Sequence, residues 1–128
     1  NGKRNLAYCG SLMQNIKSDL LHYGNRISNI KHSQLRMQCS KLNYHLFLLH
    51  VRDSYDCTCG SKREDVNHYL LQCPFYFQPR NVMFHEINTL GVEATVNILL
   101  NVSKDVNIRT NYKIFEAVHI YIESTGRL

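Results

Sequence analysis

Cys57, Cys59, His68 and Cys73 fall within seventeen residues, in the pattern C-x-C-x8-H-x4-C. Three soft sulfurs and one imidazole are the donor set of a closed tetrahedral zinc site. A Cys-x-Cys pair on a tight turn aims both sulfurs at one point, and Gly60 directly after it lets the backbone fold back beneath the ion. Glu64 to Gln72 reads as a short helix that Pro74 ends. Cys73, five residues past His68, must leave that helix to reach the same ion, by fraying before the proline. Four protein ligands leave no open position, so one Zn2+ per chain is expected, in a structural role. Arg52 to Lys62 offers hardly any apolar side chain besides Tyr55. Metal binding, typically worth about 10 kcal/mol or more, supplies the cohesion that packing cannot. A plainer account keeps His68 and Cys73 as core residues and Cys57 and Cys59 as reduced loop thiols.

Glu64 lies one helical turn before His68 and reads as an outer partner that accepts from the imidazole or caps the turn. Cys9 and Cys39 sit among apolar neighbours and read as small buried hydrophobes. His22, His32, His45, His50, His85 and His119 read as packing or surface residues, with His50 the nearest substitute ligand. No pair of carboxylates beside a basic residue suggests a nuclease site, so the chain reads as non-catalytic.

The chain carries a net charge of +5, distributed unevenly. Residues 1–80 hold eleven basic and five acidic side chains, and residues 81–128 hold four and five. A basic front half suits a polyanion, with a solvated basic surface as the plain alternative. Lys62, Arg63 and Arg80 are expected to contact phosphates, joined by Lys41, Arg52 and Arg36, with Tyr55 or Tyr76 offering a stacking face. Arg36 equally fits a buried residue that clamps carbonyls, and Asn43 a structural hydrogen-bonding residue. Phe75 and Phe77 are expected in the core.

These residues need a scaffold, and apolar spacing is helical nearly throughout. Ser11 can cap a helix carrying Leu12, Ile16 and Leu20, with Gly24 at its end. A second covers about Asn29 to Met37, with Ile30 and Leu35 inward. Ser40 caps a third, presenting Leu42, Leu46 and Leu49. Pro79 suits the first turn of another, presenting Val82, Met83, Ile87 and Leu90 before Gly91. A short apolar piece, Val96 to Leu100, follows. Asp105 caps the last helix, whose stripe is Ile108, Tyr112, Phe115, Val118 and Ile122, ending at Gly126. The reading is all-α: one small helical domain, with N-terminal helices in 1–52, a zinc-binding loop-helix insertion in 53–80, and C-terminal helices in 81–128. No apolar run approaches the length of a membrane span. The start at Asn1, with no leader after it, and the odd cysteine count fit part of a longer polypeptide in a reducing intracellular compartment, nuclear or cytoplasmic.

The segments 32–47, 57–80 and 114–128 together resemble the C-terminal end of non-LTR (LINE-type) retrotransposon reverse transcriptases. The resemblance is carried by Leu35, Arg36, Ser40, Leu42, Asn43 and Leu46, then by Cys57, Cys59, Gly60, Glu64, His68, Cys73, Pro74 and Arg80. Thr125, Arg127 and Leu128 complete it. Asp65 stands where that family frequently has threonine, and Leu128 where phenylalanine is common. The resemblance covers about residues 22–128. It implies a zinc knuckle on a non-catalytic appendage that engages element RNA or target DNA during target-primed reverse transcription, with the polymerase domain upstream. The competing class is a zinc-stapled scaffolding module whose last helix docks on the polymerase, on another copy or on a host factor through Lys104, Arg109, Lys113, Glu116 and Glu123.

Overall fold

The computed structural model describes residues 26–128. Their helices are α1 (Arg26–Arg36), α2 (Asn43–Leu48), α3 (Phe77–Thr89), α4 (Val96–Leu100) and α5 (Ile108–Thr125), with no strand among the described residues. Between α2 and α3 run an irregular loop, a π-helical turn (His68–Gln72) and a 3-10 turn (Pro74–Tyr76). This is the all-α domain that the spacing predicts. The helix expected over Leu12 to Leu20, together with Cys9 and His22, lies outside the described residues.

Helix α5 is the hub, packing against α3, α1 and α4. Its buried face is broader than the expected stripe, comprising Ile114, Phe115, Ala117, Val118, Tyr121 and Ile122, while Ile108 is exposed. Asn107, not Asp105, caps it, accepting from Thr110 N–H at 2.8 Å. Buried Asn111 decides that start, because its amide donates to the carbonyls of Ser103, Val106 and Asn107 and fixes the incoming turn. Gly126 ends the helix in the left-handed conformation (φ 60°), as its position predicts.

Helix α1 starts earlier than Asn29, and Ile30, expected inward, is exposed. The inward face is largely polar instead: Ser28, Asn29, His32 and Ser33 are buried beside Leu35. Ser28 donates to Glu123 Oε1 at 2.8 Å, and His32 bonds the Leu99 carbonyl at 2.8 Å. Hydrogen bonds, invisible to apolar periodicity, set the rotation of this helix. Cys39 is buried against Leu49 and Met37, as expected, but it is disulfide-bonded, which corrects the reading of it as a lone thiol.

In α3, Met83 and Ile87 are buried, but Val82, Phe77 and the preceding Phe75 are exposed, correcting their expected core positions. In the knuckle region, Val66, Tyr69 and Leu70 join the same core as α3 and α5. Part of the expected insertion is therefore built into the core, while the loop before it and the turn around Phe75 are largely exposed.

Candidate metal centre

The four expected ligands converge. Their donor atoms all lie within 4.8 Å of one another, in a group that can hold a metal ion. Cys57 Sγ is 3.8 Å from Cys73 Sγ, and Cys59 Sγ is 3.3 Å from His68 Nε2. Cys57, His68 and Cys73 are buried, and Cys59 is half-buried.

Local backbone explains the convergence. Gly60 takes φ 103°, which an L side chain rarely adopts, and the turn closes through Gly60 N–H to Cys57 O (3.0 Å) and Cys57 N–H to Ser61 O (2.9 Å). On an α-helix, five residues rotate a side chain by about 140°, away from its partner. The chain solves this by widening into a π turn, with Cys73 N–H donating to His68 O at 2.8 Å. Fraying before Pro74 is thus corrected to a hydrogen-bonded π turn that brings Cys73 back beside His68. Asp65 Oδ1 accepts from His68 N–H at 2.8 Å, a helix-start bond that a threonine hydroxyl also makes.

Burial pushes the Cys57 thiol up to about 12 and raises that of Cys73 as well. At Cys59 burial is outweighed by the Ser61 backbone N–H and the neighbouring thiols, which lower it. A cation that replaces the protons removes the cost of burying thiolates.

Glu64 is buried but does not meet His68. Its Oε1 accepts from Asn43 N–H at 2.7 Å, so the carboxylate caps the start of α2, whose N-cap residue Leu42 makes no side-chain cap bond. Ser40 Oγ accepts from Leu42 N–H at 3.2 Å, one residue ahead of the helix, and also bonds His45 Nδ1 at 2.7 Å. The ligand that Glu64 approaches is Cys57, with 3.9 Å from Oε2 to Sγ. Arg127 grips the same carboxylate, Nε to Oε2 at 2.8 Å and a terminal nitrogen to Oε1 at 2.6 Å.

The expected polyanion contacts divide. Lys41, Arg52, Lys62 and Arg63 are exposed. Arg63 lies over the ring of Tyr44, 4.9 Å from its centroid, and 5.8 Å from that of Tyr55. Tyr55 meets Phe47 edge-on at 4.8 Å, so the aromatic surface is shared by the loop and α2. Arg80 is corrected: it is buried, and its guanidinium donates to the carbonyls of Leu70 and Cys73. Arg36 takes the clamping role, donating to Leu100 O and lying 5.4 Å over Phe115. Tyr76 is half-buried, edge-on to Tyr69 at 5.5 Å.

Sequence reasoning missed Tyr44 and Phe47 as members of this surface. Their three-residue spacing on α2 was the available signal. It also gave no site role to Arg127, whose partner is 63 positions away. Family models, curated proteins and solved structures give no match to the chain.

Proposed function

We propose that this chain is a zinc-binding, non-catalytic nucleic-acid-binding module, of the kind its sequence resembles at the end of LINE-type reverse transcriptases, and that it acts beside an upstream polymerase domain on element RNA or target DNA. Zinc suits the donors: two sulfurs each about 2.3 Å from a tetrahedral ion stand about 3.8 Å apart. The Cys57–Cys73 separation is 3.8 Å. When bound, such an ion supplies structural cross-linking and no open coordination position. The carboxylate beside Cys57, Glu64, is already held by Asn43 and Arg127, which supports a structural role for the ion.

One observation carries the nucleic-acid reading. The turn that bears Cys57 and Cys59 runs directly into exposed Lys62 and Arg63, and Arg63 stacks on Tyr44 beside Tyr55. Cations interleaved with aromatic faces offer phosphate contacts and base stacking together. The test is elemental analysis combined with binding to single- and double-stranded RNA and DNA across salt. About four phosphate contacts predict a loss of roughly two decades in affinity between 50 and 200 mM salt.

A second reading, a protein-docking module stapled by zinc, is favoured by the groove between α3 and α5, where Phe77, Val82 and Ile120 are exposed. Binding to a protein with little salt dependence, and none to nucleic acid, would select it.

A further inference from the structure

Arg127 reaches the metal cluster through a carboxylate. Glu64, 2% exposed, lies with Oε2 3.9 Å from Cys57 Sγ. A thiol at that distance can donate to the carboxylate, but a metal-bound thiolate cannot, and two anions then face each other out of water. Three thiolates and a neutral imidazole leave a divalent ion with one net negative charge, so Glu64 adds to an existing excess. Arg127 answers it with two parallel N–H···O bonds to Glu64 and a third, at 3.1 Å, to Lys41 O. The end of α5 is tied to the same region: Thr125 Oγ1 lies 2.7 Å from Tyr69 Oη, and Tyr121 donates to Tyr69 O.

We propose that Arg127 is a positioning residue of the metal centre: its paired bonds fix the Glu64 carboxylate beside Cys57 and offset its charge there, and so slow metal loss. The inference rests on the zinc reading above. To the extent that the slower loss is tighter equilibrium binding, linkage makes the coupling mutual, and bound metal tightens the seating of residues 125–128 by the same factor in affinity. Trimming or blocking the C-terminal residues would then loosen the ion without touching a ligand.

The test uses the zinc-loaded chain and measures release of Zn2+ to a chelating dye. Arg127→Gln is expected to speed release about ten-fold or more, the scale on which outer partners tune metal sites. Arg127→Lys, which keeps the charge but loses the paired geometry, should recover part of the difference. Tyr69→Phe removes the neighbouring bond to Thr125 without touching Glu64, and should leave release within about two-fold of wild type if the effect runs through the carboxylate. In a Glu64→Gln background, Arg127→Gln should add nothing. Wild-type release from Arg127→Gln, or equal acceleration by Tyr69→Phe, overturns the inference and leaves the metal reading standing. A wild-type chain that takes up no zinc overturns both.

Discussion

His119 donates from Nε2 to Nδ1 of His32 across 3.1 Å, between two buried imidazoles on α5 and α1. The direction follows from chemistry. The Leu99 carbonyl, 2.8 Å from His32 Nε2, can only accept, so His32 carries its proton there and keeps a lone pair at Nδ1. With His32 neutral, its Nδ1 accepts from His119, and a proton added to His32 would set two N–H groups against each other.

Stability should accordingly depend on acid. Burial, with Arg36 nearby, holds His32 well below its ordinary value, and burial holds His119 at about 4 despite Glu123 and Glu116. Burial likewise holds His45 at about 4, against Asp65 and Glu64. Each unfolded imidazole takes up a proton near pH 6.5 while the folded one does not, so stability is full above that pH and falls as pH drops toward 4. The loss is at most about 1.4 kcal/mol per pH unit for each histidine. Urea denaturation of wild type and His119→Gln between pH 4 and 7 checks this. The variant should show the shallower pH dependence, and parallel curves would refute the assignment.

Cys59→Ser should bind no zinc while retaining most of its helix signal. Val66, Tyr69 and Leu70 anchor the following segment in the core, whereas residues 51–54 and 62–63 are exposed. Hydrogen exchange should show protection lost across the Gly60 turn and largely kept in α3 and α5. Collapse of the whole far-UV spectrum would mean that the ion organises the entire domain.

Charge reversal at Lys62 and Arg63 together should lower nucleic-acid affinity and reduce the salt slope by about 1.4 to 1.8. Zinc should stay bound. Arg80→Met is the counterpart: with its guanidinium inside and bonded to two carbonyls, it should lower the melting temperature and leave the salt slope unchanged. Equal slopes for the Lys62/Arg63 variant and wild type would remove the phosphate role.

Leu70→Ala, in a side chain with no solvent exposure, should cost about 2–5 kcal/mol in chemical denaturation. Zinc content should remain at wild-type level, since Leu70 contributes packing and not a donor atom. A cost near zero would show that the knuckle helix is held by the ion alone.

The ligand set was legible because metal donors come from few residue types and close spacings. Cys57, Cys59, His68 and Cys73 announce themselves along the chain, and Gly60 and Pro74 mark the turns between them. The helices carrying Met83, Ile87, Phe115, Val118 and Ile122 were legible because a 3.6-residue period survives in the order of residues. The buried polar side of α1 was not, since Ser28 and His32 become core only when Glu123, His119 and Leu99 are brought opposite them.

The order of residues by itself determined that this protein is helical and that its middle carries four side chains able to hold a metal ion. Tertiary structure alone decided which cations face solvent. Arg36, Arg80 and Arg127 bond to carbonyls or Glu64, whereas Lys41, Arg52, Lys62 and Arg63 reach solvent. A guanidinium can serve inside or outside, and the choice depends on acceptors brought to it by distant segments, which local sequence does not encode.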